Sequence, residues 1–304
     1  RLPIASSRPS SPPVQPLAMV NPCLCVIFSK NRAFQLHECL SSVSRFCPAT
    51  AMCHILIHVI WSSSIDQIQK SYKTVEQRFP QISFYKEDFE NTFSRHITRI
   101  FDQNPSDYVL FMVDDSIIYR PVDLSLICNI LKPGSHCISY HLRLNPLIAH
   151  SHTKDMAVRC PPLLHRKSHY EYLPFLGSTE WSYRFDVSGC FYQRQVIDLI
   201  LSHMSESDKS HPNLFELAGN RVLDKLELGE ALYSACPLYP SLSIITVNRV
   251  QDQFKNRVYE DEYGSVECLD SLFRKGYTIN IDLYAKSEFN SVHIGELFLL
   301  HPSV

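Results

Sequence analysis

Glycine is scarce in this chain, with 8 in 304 residues. No Gly-x-Gly-x-x-Gly or Gly-x-x-x-x-Gly-Lys-Ser/Thr run occurs, so a Rossmann dinucleotide binder and a P-loop enzyme are both disfavoured. Excess charge is lacking as well. Lys and Arg number 29 against 31 Asp and Glu, a formal net charge of -2, which offers no bulk attraction to nucleic acid or to an anionic membrane. No apolar run approaches the ~18 residues that cross a bilayer, so no membrane span is expected within the chain. The eleven cysteines include no Cys-x-x-Cys, and Asn104-Pro105-Ser106 is spoiled as a glycosylation acceptor by its proline. Cys25, Cys39, Cys53 and Cys128 fall on apolar faces, as small buried hydrophobes do. Free thiols and missing acceptor sites point to a reducing, cytoplasmic compartment. The chain opens on Arg1 rather than Met, which leaves an upstream signal or anchor open.

The composition, 45% hydrophobic and 20% charged, is that of a globular protein with a sizeable core. Residues 1–22 are rich in Pro and Ser without apolar periodicity, and a disordered lead is expected there. From Cys23 the pattern alternates. Cys23 to Phe28 reads as a buried strand, and Ala33, Leu36, Leu40, Val43 and Cys47 stripe a helix. Met52 to Trp61 is a second strand, followed by a helix on Ile65, Ile68, Tyr72, Val75 and Phe79. Ile82 to Tyr85 and a helix on Phe89, Phe93, Ile97 and Phe101 make a third round. Three such rounds predict βαβ units and a mainly parallel α/β sheet.

The chain is organised around Tyr108-Val109-Leu110-Phe111-Met112-Val113-Asp114-Asp115-Ser116. Six apolar residues end in two carboxylates, at the strand end where open α/β sheets bind ligands. Adjacent anions repel, and a divalent cation is one reason to keep them together; a capped turn is the other. Beyond this point a helix is expected over Pro121 to Leu131 and a strand over Cys137 to Leu144. Residues 145–180 read as a long polar loop that orders on ligand binding. Its His150, His152, His165 and His169 match no common zinc-ligand spacing. Helices follow on Val196 to Met204 and from His211, then a strand over Leu242 to Val247 and a helix on Val266 to Phe273.

Several of these stretches, in order, resemble a GT-A type glycosyltransferase, of the family 2-like, nucleotide-diphospho-sugar transferase group. Ser29-Lys30-Asn31-Arg32 after the first strand resembles its opening signature, and Met112-Val113-Asp114-Asp115 its DxD motif in an x-Asp-Asp variant. Ser139 to Leu144, Trp181 to Phe191, His211 to Glu216, Val247 to Asp252 and Asn290-Ser291-Val292-His293 follow in the same sequence. The resemblance implies a single GT-A domain over residues 23–300, with a nucleotide-binding half at about 23–120 and a sugar and acceptor half at about 121–300. It implies a Rossmann-like, mainly parallel sheet flanked by helices, with a less regular C-terminal half.

The implied activity moves a sugar from a nucleotide-diphosphate sugar to a glycan, lipid or protein acceptor. Mn²⁺, or Mg²⁺, would stabilise the leaving diphosphate as a Lewis acid. Asp115, Asp114 and His293 are the implied metal side, and an imidazole ligand tilts the choice towards Mn²⁺. Ser29, Lys30, Asn31, Arg32 and Asp114 would meet the nucleotide, and Trp181 with Tyr183 would either stack on the sugar or fill the core. Two carboxylates compete for general base, and Glu216 is preferred, with Asp186 as sugar ligand. Asn213 is the expected cap of the Glu216 helix, whose end would lower the carboxyl's pKa. The alternatives are a sugar nucleotidyltransferase, weakened by the missing Gly-rich loop, and a non-catalytic nucleotide-sugar or glycan-binding domain.

Overall fold

The computed structural model describes residues 21–50, 53–226, 232–251, 253–259 and 262–302. All but the last two residues of the expected Pro/Ser-rich lead lie outside the described residues, as do Met52 and Asp252. The first half alternates as its periodicity predicts: β1 (Asn21–Lys30), α1 (Ala33–Phe46), β2 (Cys53–Ser62), α2 (Asp66–Arg78), β3 (Ser83–Lys86), α3 (Phe93–Gln103) and β4 (Tyr108–Val113). A short β5 (Ser116–Ile118), α4 (Leu124–Ile130) and β6 (Cys137–His141) follow. The next elements are β7 (His150–Ser151), β8 (Met156–Ala157), β9 (Leu164–His165) and β10 (His169–Tyr172), then β11 (Cys190–Gln193), α5 (Arg194–Ser202) and α6 (Pro212–Lys225). The chain continues through β12 (Tyr233–Pro237), β13 (Leu242–Ile245), α7 (Val266–Arg274), β14 (Thr278–Ile279), α8 (Ile281–Lys286), β15 (His293–Ile294) and β16 (Leu299–Leu300).

Nine strands form one sheet in the order β3-β2-β1-β4-β11-β6-β12-β10-β9. Only β11 and β10 run against the other seven, so the sheet is mainly parallel in strand direction. Such a sheet is covered on both faces, and β1 shows how. Its Cys23, Cys25 and Ile27 join one core with α1, α2 and α7, while Leu24, Val26 and Phe28 join the other with α3, α5 and α6. All six are at most 4% exposed, which accounts for the continuous rather than alternating apolar run. No helix among the described residues is long and apolar enough to cross a membrane.

Capping moved three expected boundaries. Thr92 accepts a hydrogen bond from Arg95 N and starts α3 at Phe93, leaving Phe89 outside the helix and 98% exposed. Asp123 accepts from Leu126 N and starts α4 three residues beyond Pro121. α6 starts at Pro212 because His211, not Asn213, is the cap: its Nδ1 accepts from Asn213 N at 3.1 Å.

Residues 145–180 are built structure rather than the expected long loop. β7 and β8 pair as a hairpin, and β9 and β10 extend the main sheet, so the backbone polar groups of these short strands pair with neighbouring strands. β11 and β12 were not legible as strands. Each is only four or five residues long, and each is placed by its neighbours in the sheet.

Gly219 decides how closely α6 approaches the segment before β11, since a Cβ there would drive into the Phe185 ring. That ring is itself enclosed by Phe111, Tyr192 and Phe215. Alanine would gain about 1 kcal/mol of helix propensity, against about 1–3 kcal/mol for overpacking a boxed-in ring. Gly219→Ala is therefore expected to lower the melting temperature, and an unchanged or higher Tm would mean the ring has room to move.

Candidate active site

The register of β1 and β4 sets Phe28 opposite Val113, so the segments leaving these strands open side by side. Asp114 N donates to Phe28 O at 3.0 Å. The Asp114 carboxylate is then held by three hydrogen bonds: Oδ2 accepts from Ser29 Oγ at 2.8 Å and Lys30 N at 3.2 Å, and Oδ1 from Arg32 Nη1 at 3.0 Å. Asn31 adopts the left-handed φ of 56°, a conformation Asn tolerates. The turn points it away from this cluster, and its Oδ1 accepts from Ser64 N at 3.2 Å.

Arg32 ties the region together. Nη1 also reaches Asp115 Oδ2 at 2.7 Å, while Nε and Nη2 donate to Asn248 Oδ1 and Asn248 O, each at 2.6 Å. Burial alone would lower the pKa of this guanidinium, but Asp115 and Asp114 outweigh it and raise it. Asp114 is pushed up to about 6 by burial and by the neighbouring Asp115, against the pull of Arg32. One cation thus bridges both carboxylates of the buried pair.

His293 arrives through a small second sheet, ordered β15-β13-β5. β5 leaves directly from the acidic pair, and Ile245 N donates to Asp115 O at 2.9 Å. β13 sets Ile244 opposite His293, so a residue 178 positions down the chain shares the cavity with Asp115. His293 Nδ1 lies 2.9 Å from Thr246 Oγ1, which orients the ring. Burial and the nearby Arg143 push its pKa down to about 4, so the imidazole is neutral at pH 7.

These groups line a cavity of about 790 Å³ whose wall includes Lys30, Arg32, Asp115, His293, Tyr183 and Glu216. Glu216 lies one turn inside α6, and its Oε1 accepts from Val187 N at 3.2 Å. Its pKa is pushed up to about 8 by burial and by Asp186, opposed by Arg143. The expected lowering by the helix end is overridden, because desolvation and a like charge act on the carboxyl at closer range than the helix dipole.

Asp186 sits behind the wall. It is 0% exposed, and its Oδ1 accepts from Ser188 N at 2.8 Å. Oδ2 pairs with Arg143 Nη2, with His141 Nδ1 3.8 Å away. Burial pushes its pKa up, but Arg143 and His141 outweigh burial and hold it below the usual carboxylate range. Trp181 is placed in the core. It is fully buried, with Nε1 donating to Ile148 O at 3.3 Å and its ring edge-on to Tyr172 at 5.0 Å. Tyr183, not Trp181, is on the cavity wall.

Three cavity residues carry roles that sequence reasoning missed. Arg143 ends the run Ile138-Ser139-Tyr140-His141-Leu142-Arg143; a charge at the end of a buried strand was the available signal. Asn248 holds Arg32. Glu180 accepts from Ser151 Oγ at 2.6 Å through Oε1, while its buried Oε2 and the Arg143 Nε have no protein hydrogen-bond partner. Buried polar atoms left open on a cavity wall are what a polar ligand would satisfy.

No protein-family model matches the chain. It is 29% identical over 299 residues to the bifunctional glycosyltransferase pgtA of Dictyostelium discoideum, covering 90% of this chain and 38% of that protein. The chain therefore spans well under half the length of the curated relative. Among solved structures, a fragment of S. aureus TarS gives a TM-score of 0.45 at 14% identity, covering 72% of this chain and 59% of that one. The mannosyltransferase PcManGT from Pyrobaculum calidifontis, in complex with GDP-Man and Mn²⁺, gives 0.41 at 11% identity, over 75% of this chain and 60% of that one. Structural likenesses this remote carry nothing about donor, metal or acceptor. Along nine tenths of its length this chain is similar to a glycosyltransferase, and the fold it forms is the α/β sheet flanked by helices that the GT-A resemblance implies.

Proposed function

We propose that this domain transfers a sugar from a nucleotide-diphosphate donor, with the leaving diphosphate at Arg32, Lys30 and Asp115 and the acceptor hydroxyl at Glu216. The observation that carries this reading is the single cavity that puts a cation-neutralised acidic pair and a raised-pKa carboxyl on one wall. Similarity to a glycosyltransferase supports it. Arg32 and Lys30 offer positive charge where negative charge grows as the glycosidic bond breaks. Glu216 removes the acceptor proton, and Arg143 and Glu180 supply open hydrogen-bonding atoms for sugar hydroxyls. Asp186 holds Arg143 and tunes Glu216.

The residues fit a divalent ion in part. Asp115 gives a hard oxygen and His293 a neutral nitrogen, whereas Asp114 is already engaged by Ser29, Lys30 N and Arg32. Asp114, Asp115 and His293 are not among the trios of ligand atoms that lie within 4.8 Å of one another in the described residues. Asp115 and His293 would therefore hold Mn²⁺ with donor oxygens completing the shell, and the ion would supply Lewis-acid stabilisation of the diphosphate. Asp114 would brace Arg32 and the turn at Ser29.

Incubation with a panel of nucleotide-sugars and Mn²⁺ is expected to release free nucleoside diphosphate from at least one donor. Pyrophosphate in its place would make the domain a nucleotidyltransferase, and saturable donor binding with no release would leave a binding module. His293→Ala is expected to weaken Mn²⁺ binding at least about tenfold, read by the loss of the free-ion EPR signal on titration. Wild-type affinity in that variant would remove His293 from the metal.

A further inference from the structure

One end of the histidine-rich stretch, at His169, lies away from the cavity, on β10. Two strands that are not neighbours, β6 and β10, are held on either side of β12. Their ends bring together His136, Cys137 and Glu171, whose ligand atoms all lie within 4.8 Å of one another. Cys137 and Glu171 lie 34 positions apart in the chain, which is why no ligand spacing was visible in the sequence. The trio sits at the start of β6. Arg143 and the cavity lie beyond the other end of that strand.

The chemistry of the set is specific. Cys137 is 1% exposed and Glu171 is 6% exposed, so both are fixed by the sheet. The His136 side chain is 54% exposed, which gives an ion a path in from solvent. His136 Nε2 lies 3.2 Å from Glu171 Oε2, and His169 Nε2 lies 3.2 Å from Oε1. A carboxylate, an imidazole and a thiol that converge are a borderline-soft donor set, suited to zinc rather than to the hard ions of the acidic pair. Three protein ligands leave the fourth tetrahedral position to water.

We propose that His136, Cys137 and Glu171 form a Zn²⁺ site, separate from the catalytic cavity, that clamps β6 to β10. His169 fixes the orientation of the Glu171 carboxylate from its other oxygen, as outer-sphere partners do. The protein's present cation on that carboxylate is Arg166, whose Nε and Nη2 donate to Oε2 at 2.9 and 2.7 Å. Arg166 is 48% exposed in its side chain, so it can swing into water as the ion arrives. Uptake displaces this guanidinium, and the Cys137 thiol loses its proton to solvent as the Zn–S bond forms. The net exchange replaces one cation at Glu171 by another that also grips Cys137 and His136.

Co²⁺ titration of the intact chain tests this, because a Co²⁺–thiolate pair absorbs in the near ultraviolet and oxygen or nitrogen ligation does not. The expected result is one equivalent of this band, displaced by Zn²⁺ and absent in Cys137→Ser. His136→Ala, a change at an exposed side chain that leaves the core intact, should weaken Co²⁺ binding by at least about tenfold. Arg166→Ala should tighten binding, since it removes the competitor. A structural ion pair alone would give no gain from that variant. No thiolate band in the wild-type chain, a band that survives Cys137→Ser, or weaker binding in Arg166→Ala would each overturn the proposal. Asp115→Asn should leave the band unchanged, which separates this outcome from the fate of the proposed transferase site.

Discussion

Glu216→Gln is expected to lower kcat by about 10²- to 10⁴-fold, the usual range for losing a general base. The expected change in donor KM is small, since the carboxyl acts on the acceptor proton. Its pH signature is sharper. A base must be deprotonated, and burial with the Asp186 charge pushes Glu216 up to about 8. The rate should therefore rise with pH through about 8 and flatten above it, and this limb should vanish in Glu216→Gln. The stability linkage has the opposite sense. A carboxyl whose folded pKa lies above its unfolded value favours the folded state at low pH and loses that contribution as pH rises towards 8. Glu216→Gln should accordingly raise Tm at pH 8 or above while it lowers kcat.

Asp186→Asn makes the complementary case. Removing the like charge should move the Glu216 limb to lower pH. It should also cost several kcal/mol of stability, about 3–5 for a buried pair broken on one side, because Arg143 loses its partner. A pH–rate profile of Glu216→Gln that keeps the wild-type limb would place the base elsewhere.

Asp115→Asn is expected to reduce kcat/KM for the donor by at least about 10²-fold, comparable to deleting one group that stabilises charge in the transition state. Mn²⁺ binding should fall further than in His293→Ala, because a charged ligand is lost rather than a neutral one. The fold should persist, since Arg32 keeps Asp114 and both of its bonds to Asn248. Steady-state kinetics with a circular-dichroism melt separate the two effects. Normal turnover in a folded Asp115→Asn chain would reduce the acidic pair to an anchor for Arg32, and with it the metal reading would go.

What the sequence by itself determined was whatever depends on near neighbours in the chain. The run from Tyr108 to Val113 reads as a buried strand, and the helical stripes of α1, α2 and α3 each needed one apolar face covered. The acidic strand end and the signature at Ser29 to Arg32 were legible for the same reason: each is contiguous. Tertiary structure alone decided which charges meet. Arg32 finds Asp114 and Asp115 through the register of β1 against β4. His293 reaches the same cavity through β13 and β15. Arg143 falls on Asp186, and this pairing sets Asp186 behind the wall and Glu216 on it. Trp181 illustrates the limit from the other side, since an indole suits a sugar face and a core equally well until its Nε1 finds Ile148 O. A pKa likewise belongs to an environment rather than to a residue. The helix end that should have lowered Glu216 was visible in the chain, whereas the burial and the Asp186 charge that raise it exist only once α6 is folded against Val187 and the sheet.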